Sequence, residues 1–222
     1  MGRSEKRLSV ALFGATGLVG GACLRLVARD PAFARVTVLT RRAARMPAPD
    51  ARGPVLDAQV IDFDRPDTWQ EYLAVDAIVC ALGTTIRAAG SRERFRRVDY
   101  DYPLMIAQGG LAFGAQHLLL VSALGADPDS RVFYNRVKGE LEQAVFALPY
   151  RRLTILRPSL LLGDRGELRL GEELAKRFSF LAPARYKPIE ASVVAETLVK
   201  AARERRAGHE IIESAEMSAA RV

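Results

Sequence analysis

The sequence predicts an α/β fold, a single doubly wound parallel sheet with helices on both faces. Three observations predict it. Short apolar runs, typical of buried strands, alternate with stretches of helical periodicity along the 222 residues. No linker and no internal repeat divides the chain, which indicates one domain over residues 1–222. A glycine-rich turn lies between the first apolar run and the first helical stretch, as in folds that bind phosphates.

Seven segments are predicted as strands because they are short and largely apolar and because glycine, proline or charged residues bound many of them. They are Leu8–Gly14, Val36–Thr40, Val55–Phe63, Ala77–Leu82, His117–Val121, Leu153–Leu156 and Glu210–Glu213. The helical stretches between most of them favour parallel pairing through right-handed crossovers.

Six segments with helical periodicity are predicted as helices: Gly17–Arg29, Pro66–Leu73, Ser91–Gly114, Arg131–Leu148, Glu172–Phe180 and Glu190–Arg206. Within the third of them, Pro103 is expected to kink or restart the helix. Residues 41–54, with three prolines, are expected to form a loop, and the small, polar tail from Ser214 is expected to be loose. Elements within about 163–222 are expected to form a small C-terminal substrate lobe.

Composition excludes several classes of protein. With 49% hydrophobic and 27% charged residues, the chain is globular rather than disordered or collagen-like. No apolar run reaches the roughly 18 residues of a membrane-spanning helix, so no membrane partner is expected. Cys23 and Cys80 lie in apolar company and are interpreted as buried thiols, and His117 and His209 lack zinc-ligand spacing. We therefore expect a cytoplasmic protein without a structural metal.

Arginine dominates the charge of the chain. The net charge is +7, and 28 of the 33 basic residues are arginine. Such a surplus can indicate nucleic-acid binding, but these arginines are scattered and are not interleaved with stacking aromatic residues. No nucleic-acid partner is expected, and an anionic small-molecule ligand is the favoured interpretation.

The glycine-rich turn reads GATGLVG, with a glycine at every third position. Gly14 allows the tight turn, Gly17 lets backbone N–H groups approach a pyrophosphate, and Gly20 lets the helix pack against the strand. The helix that follows offers unpaired N–H donors and a partial positive charge to phosphates. A glycine turn without a ligand is the alternative. The predicted cofactor-binding residues of this turn are Gly14, Thr16, Gly17, Leu18, Val19 and Gly20.

The end of the second strand favours NADP(H) over NAD(H). NAD sites usually carry an acidic residue about 20 residues after the glycine turn, where it binds the ribose 2′-hydroxyl. Here Arg41 follows Gly20 by 21 residues, with Arg42 beside it, and a guanidinium suits a 2′-phosphate. Solvated loop charges are the alternative. Further cofactor contacts are predicted at Asp62, for the adenine, and at Leu82 and Gly83, where the fourth strand ends.

A serine, a tyrosine and a lysine predict acid–base chemistry. Tyr134 and Lys138 are four residues apart in a predicted helix and therefore share one face. A neighbouring ammonium stabilises the phenolate and is expected to lower the pKa of the tyrosine toward neutrality. Ser122 ends the fifth strand, where its hydroxyl can hold a substrate oxygen. A surface Tyr–Lys pair without chemistry is the alternative.

Together these motifs resemble those of atypical short-chain dehydrogenase/reductases with an NAD(P)-binding Rossmann fold. The segments that carry the resemblance are GATGLVG, VSALGAD, YNRVKGELE and LRPSLLLG, which are spread over most of the chain. YNRVKGELE together with VDYDYPL is most similar to the Tat-interacting oxidoreductase-like branch and its bacterial relatives.

The resemblance implies a Rossmann-type fold, a dinucleotide bound across Gly14–Gly20 and a Ser-Tyr-Lys active site. It also implies that Lys138 holds the nicotinamide ribose and that Pro158 and Ser159 face the nicotinamide. Two departures stand out. Asp99 replaces the Asn with which many family members support a proton relay through water, so that relay loses its usual amide. The chain after the sixth strand has only about 60 residues, which disfavours a large nucleotide-sugar pocket of the epimerase kind.

These residues predict an NADP(H)-dependent oxidoreductase that acts on a small carbonyl or alcohol. Tyr134 is the predicted acid/base, Lys138 its activator and Ser122 the group that orients the substrate oxygen. A regulatory or interaction protein that binds NADPH without turnover is the alternative, and the fold does not decide between the two. The helices at 91–114 and 131–148 could form a four-helix interface in a homodimer, as they do in many relatives.

Overall fold

The sheet of this protein has the strand order of a dinucleotide-binding fold. The computed structural model describes residues 6–163 and 187–220. Seven of its strands pair in parallel in the order β3-β2-β1-β4-β5-β6-β9, and β7 and β8 form a separate parallel pair. The strands are β1 (Leu8–Phe13), β2 (Phe33–Thr40), β3 (Val55–Val60), β4 (Ala77–Cys80), β5 (His117–Val121), β6 (Arg152–Arg157), β7 (Leu161–Leu162), β8 (Ile189–Glu190) and β9 (Gly208–Glu213). The order reverses between β1 and β4, which is where such folds bind their ligands.

Helices cover both faces of the sheet, as the alternating sequence pattern predicts. They are α1 (Leu18–Val27), α2 (Ile86–Ala89), α3 (Arg92–Arg96), α4 (Tyr102–Ala112), α5 (Phe133–Phe146), α6 (Ala191–Arg203) and α7 (Ser214–Ala219). The predicted helix at 66–73 is instead two 3-10 turns, Pro66–Thr68 and Gln70–Leu73. The predicted helix Glu172–Phe180 lies outside the described residues.

The core has two layers because side chains alternate along each strand. In β1, Val10 and Leu12 belong to a hydrophobic cluster with α1 and α6, whereas Ala11 and Phe13 belong to a second cluster with α4 and α5. All four side chains are buried. Strands buried on both faces are typical of parallel sheets, which explains their continuous apolar runs in the sequence.

A π-helical turn, Arg97–Asp101, joins α3 to α4. It lies immediately before Pro103, which has no N–H to donate to the Asp99 carbonyl four residues earlier and whose ring crowds that carbonyl. The wider turn relieves that conflict, so the helical stretch continues through the proline instead of ending there. The turn also places Asp99 in the interior, where its side chain is fully buried.

The C-terminal tail is a helix, so the prediction of a loose tail is wrong. Glu213 and Glu216 form a capping box at the start of α7. Ser214 and Met217 are buried, which anchors the helix. The tail is therefore held by capping and by an apolar contact that its small, polar composition conceals. In the described ranges, no helix has both the length and the apolar character needed to cross a membrane.

Candidate active site

The glycine turn brings three elements of the fold into backbone contact. Gly14 has a φ of +83°, and a Cβ there would lie 2.3 Å from the carbonyl oxygen of Ala81. A Cβ on Gly20 would lie 2.2 Å from the carbonyl oxygen of Gly14. Side chains at either position would separate β1, β4 and α1. The tight turn that the sequence predicts at Gly14 and the close packing of the helix that it predicts at Gly20 are therefore present.

The first turn of α1 is open to an anion. Gly17 is the N-cap residue and has no side chain to cap the helix, and the first turn contains no acidic residue. The backbone N–H groups at this end are thus free of a capping side chain, and the helix dipole places partial positive charge there. A pocket of about 390 Å³ lies against this turn, and its lining includes Thr16, Gly17, Leu18 and Arg25.

The carboxyl ends of β2 and β3 carry the predicted determinants of cofactor choice. Arg41 and Arg42 are exposed, and Thr40 Oγ1 donates a hydrogen bond of 2.6 Å to the Arg42 carbonyl. Among the described residues, neither arginine has an acidic partner within salt-bridge distance. Asp62 is exposed just beyond β3, and its side chain accepts a hydrogen bond of 3.0 Å from the Asp64 backbone.

Another arginine at this edge is neutralised. Arg97 Nη2 lies 2.7 Å from Asp64 Oδ1, and the hydroxyl of Tyr102 donates to the same oxygen at 2.7 Å. This hydrogen bond and partial burial raise the pKa of Tyr102 to about 12, with burial as the larger cause. Positive charge without a partner at the ends of β2 and β3 therefore rests on Arg41 and Arg42.

A close backbone contact positions the face of α5 that carries Tyr134 and Lys138. A Cβ on Gly139 would lie 2.2 Å from the Pro128 nitrogen and from the Asp127 carbonyl carbon. The helix therefore packs directly on the loop that follows β5. Tyr134 and Lys138 lie one turn apart on this helix, and the ring of Phe95 from α3 lies 5.5 Å from the Tyr134 ring.

Lys138 pairs with the carboxylate of Asp99. In the sequence, Asp99 was noted only as the residue that replaces the usual Asn of the family. Lys138 Nζ lies 2.7 Å from Asp99 Oδ1, and the two side chains are 3% and 0% exposed. The second Asp99 oxygen accepts a hydrogen bond of 2.8 Å from the Thr84 backbone N–H. A Cβ on Gly83 would lie 3.5 Å from Asp99 Oδ1, so the predicted contact residue Gly83 borders this pair.

The pKa of Tyr134 is raised, not lowered as the sequence argument expects. Burial of the phenol is the largest cause. The Lys138 ammonium acts in the opposite direction, and the Asp99 carboxylate adds to the increase. The pKa of Lys138 is also raised, because attraction to Asp99 and Tyr134 outweighs the cost of burial. The spacing of Tyr134 and Lys138 in the sequence does not indicate Asp99, whose carboxylate opposes the effect of the Lys138 ammonium on the pKa of Tyr134.

The hydroxyl proton of Ser122 is directed at Glu142, one turn beyond Lys138 on α5. The Ser122 hydroxyl donates a short hydrogen bond to Glu142 Oε1. Arg157 holds the same carboxylate, with Nη2 at 2.5 Å from Oε2 and Nε at 3.1 Å from both oxygens. Ser122 can therefore accept a hydrogen bond from a ligand while it donates to Glu142. Glu142 was not predicted as a site residue. The one feature that could have indicated it is an acidic residue on the buried face of a helix.

The segment after β6 is tied to its neighbours by polar contacts. The Pro158 carbonyl accepts a hydrogen bond of 2.8 Å from the Leu124 N–H, which fixes it beside the loop after Ser122. The Ser159 hydroxyl donates to the Lys187 carbonyl at 2.5 Å. Leu82 is half-buried where β4 ends. Among the described residues, no group of His, Cys, Asp and Glu side chains is arranged to hold a metal ion.

Known proteins with similar sequences include one from rat and several from fungi. Rat protein HTATIP2 is 38% identical over 171 residues, which are 77% of this chain and 69% of that protein. FMP52 of Emericella nidulans is 36% identical over 178 residues, 77% of this chain and 74% of that protein. FMP52 of Candida albicans is 32% identical over 203 residues, 86% of each chain. No protein-family model matches the chain.

Solved structures with the same fold include enzymes in complex with nicotinamide cofactors. The Bordetella bronchiseptica enzyme WbmG in complex with NAD has a TM-score of 0.70 at 11% identity, over 97% of this chain and 76% of that one. The dTDP-4-dehydrorhamnose reductase of Bacillus anthracis in complex with NADP has a TM-score of 0.65 at 14% identity, over 95% of this chain and 76% of that one.

The fold, the glycine turn and these relatives define the class of the protein, an atypical short-chain dehydrogenase/reductase with a Rossmann-type fold. Within that class, the chain belongs to the family of HTATIP2 and FMP52. The resemblance noted in the sequence is thereby confirmed.

The expectation of a cytoplasmic protein is contradicted by the same relatives. The FMP52 proteins of three fungi are named as mitochondrial. The expectation rested on two unpaired cysteines and on the lack of a zinc-binding pattern. Those features describe any reducing compartment, so they could not separate the cytoplasm from an organelle.

Proposed function

We propose that this protein is an NADP(H)-dependent oxidoreductase that acts on a small carbonyl or alcohol. The observation that carries the proposal is the joint placement of the glycine turn and of the half-buried Tyr134 with the buried Lys138–Asp99 pair at the carboxyl ends of β1, β4 and β5. In a doubly wound sheet this edge is where the ligand binds.

The residues at this edge fit a dinucleotide. Gly14 and Gly20 leave no room for a Cβ, and the uncapped turn at Gly17 can take the pyrophosphate. Arg41 and Arg42 can bind a 2′-phosphate through charge-assisted hydrogen bonds. Asp62 is proposed for the adenine amine, and Leu82, Gly83 and Pro158 for the nicotinamide end.

Each catalytic residue has a separate proposed task. When bound, the nicotinamide supplies or accepts a hydride at the substrate carbon. Tyr134 gives a proton to the substrate oxygen or takes one from it. Lys138 holds the ribose and stabilises the phenolate, and Ser122 accepts a hydrogen bond from the substrate hydroxyl while donating to Glu142.

Replacement of Arg41 and Arg42 by alanine tests the choice of cofactor. The wild-type protein is expected to bind NADPH at least about ten-fold more tightly than NADH, and the double variant to lose that preference, because two guanidinium groups no longer face the 2′-phosphate. Calorimetric titration with both nucleotides measures the effect. The control is Arg45→Ala/Arg52→Ala, which removes the same charge from exposed positions in the same loop. Equal preference in both double variants would contradict the assignment.

Gly83→Ala tests the position of the nicotinamide end. The new Cβ makes only ordinary contacts in the protein, at 3.5 Å from Asp99 Oδ1 and 3.9 Å from Lys138 Nζ. The melting temperature is therefore expected to stay within about 2 °C of wild type. The methyl group would stand where the ribose approaches Lys138, so NADPH affinity is expected to fall about ten-fold. Unchanged affinity in a folded variant would place the ribose elsewhere.

A second candidate function is an NADPH-binding regulatory or interaction protein without turnover. Two observations favour it: the raised pKa of Tyr134, and the commitment of the Ser122 proton to Glu142. The two functions differ in one experiment. Tyr134→Phe abolishes turnover and leaves NADPH binding intact if the protein is an enzyme, whereas a pure binding protein oxidises no NADPH in either form.

For the assembly, a homodimer through α4 and α5 is proposed, since these helices lie together on one face of the sheet. Sedimentation velocity of the purified protein measures that assembly directly.

A further inference from the structure

The charge of Lys138 is matched inside the protein by Asp99. The ammonium and the carboxylate are 2.7 Å apart, and both side chains are excluded from solvent. The Thr84 N–H fixes the other Asp99 oxygen at 2.8 Å, so the carboxylate is held from two sides. The π-helical turn before Pro103 brings Asp99 to this position. An amide there could accept the Thr84 hydrogen bond but could not balance the ammonium.

In the part of the chain that the structure describes, few charged groups act on the Tyr134 phenol. Lys138 comes from the same helix, Asp99 from the π-helical turn, and Cys80 from β4 faces the Lys138–Asp99 pair. Burial raises the pKa of the Cys80 thiol to about 11, so it carries no charge at neutral pH. The ammonium and the carboxylate, side by side, therefore act on the phenol in opposite directions, and the ammonium has the larger effect.

We propose that Asp99 is a positioning residue that fixes Lys138 and offsets most of its field at Tyr134, so that the phenol keeps its proton for donation to a carbonyl oxygen and the site works as a reductase. In this reaction the O–H bond of Tyr134 breaks and a new O–H bond forms on the substrate oxygen. The carbonyl carbon is reduced and gains a C–H bond with the hydride that NADPH gives up as it is oxidised to NADP⁺, and one proton taken up from solvent then restores the Tyr134 phenol. The inference deepens the proposed function and rests on it.

The ionisation of Tyr134 provides a test that needs neither cofactor nor substrate. The absorbance of tyrosinate near 295 nm is followed against pH, and the curve of the matching Tyr134→Phe variant is subtracted to isolate this phenol. Asp99→Asn keeps the shape of the side chain and removes its charge. We expect the midpoint of Tyr134 to fall by about one pH unit or more, because the ammonium is then unopposed. Asp101→Asn, an exposed carboxylate of the same turn, is the control and should leave the midpoint unchanged.

A second variant is needed in case Asp99→Asn does not fold, because it leaves Lys138 buried without a partner. Asp99→Asn/Lys138→Met removes both charges together, which proteins tolerate better than one unpaired charge. If Asp99 offsets most of the effect of the ammonium, Tyr134 titrates within about half a pH unit of wild type in this double variant. A midpoint well above wild type would mean that the ammonium is largely unopposed in the native site, and the proposal would be wrong. An unshifted midpoint in a folded Asp99→Asn protein would also overturn it.

Calorimetric binding of NADPH separates this inference from the proposed function. If the wild-type protein does not bind NADPH, the oxidoreductase proposal is rejected, whatever the titration of Tyr134 gives. Intact binding with an unshifted Tyr134 midpoint in folded Asp99→Asn would reject the role of Asp99 alone.

Discussion

Lys138→Met is expected to lower the free energy of unfolding by about 3–5 kcal/mol, because it leaves the Asp99 carboxylate buried without its partner. The effect is large since Asp99 is fully buried and Lys138 is only 3% exposed. Adding Asp99→Asn should recover much of the loss, because a neutral pair has no charge to solvate. Chemical denaturation of the four proteins in this double-mutant cycle measures the coupling.

Lys200→Met is the matched control for that prediction. Lys200 is an exposed lysine on α6, so its replacement should change the free energy of unfolding by less than about 0.5 kcal/mol. A loss of similar size in both variants, or a double variant no more stable than Lys138→Met, would contradict the assignment of a coupled buried pair.

Gly20→Ala is expected to reduce NADPH affinity by about 100-fold or more, equivalent to at least about 2.7 kcal/mol. Its Cβ would lie 2.2 Å from the Gly14 carbonyl oxygen. The Cβ is fixed by its bond to Cα and the oxygen belongs to the backbone, so no side-chain rotation can relieve the contact. The helix must move off the turn, which displaces the N–H groups proposed for the pyrophosphate. Overpacking of this kind should also cost about 1–3 kcal/mol of stability.

The adjacent glycine provides the control for this variant. A Cβ on Gly21 would lie 3.1 Å from the Ala15 carbonyl oxygen, so a shift of a few tenths of an ångström accommodates it. Gly21→Ala should therefore retain most of the NADPH affinity. Equal losses in the two variants would mean that glycine at this end of α1 matters for reasons other than the close contact with the turn.

Patterns local in sequence predicted the fold well. Val10 and Leu12 face one side of the sheet, and Ala11 and Phe13 face the other. The sequence does not show this alternation, because both faces of β1 are buried and all four residues are apolar. The run is nevertheless short and apolar enough to indicate a strand. The glycine spacing of the first turn follows directly from the contacts that its backbone makes. Such features depend on neighbours in sequence, so sequence reasoning can find them.

Features that depend on distant residues escaped prediction. Asp99 pairs with Lys138 because the sheet order brings α5 beside the helical segment after β4. Ser122 bonds to Glu142 because the same order brings α5 beside the end of β5. The sign of the pKa shift of Tyr134 was wrong for the same reason, since burial and a carboxylate from another element determine it. The helix α7 could have been found, because Glu213 and Glu216 have the spacing of a capping box before an apolar residue.

A crystal structure with NADP⁺ bound would test the central claim most directly. The account predicts the pyrophosphate against the N-terminus of α1, the 2′-phosphate within hydrogen-bond distance of Arg41 or Arg42, and the nicotinamide ribose on Lys138. The Tyr134 hydroxyl should then lie beside the nicotinamide, with room between them for a substrate carbonyl. A dinucleotide bound away from the glycine turn, or a nicotinamide directed away from Tyr134, would contradict the account.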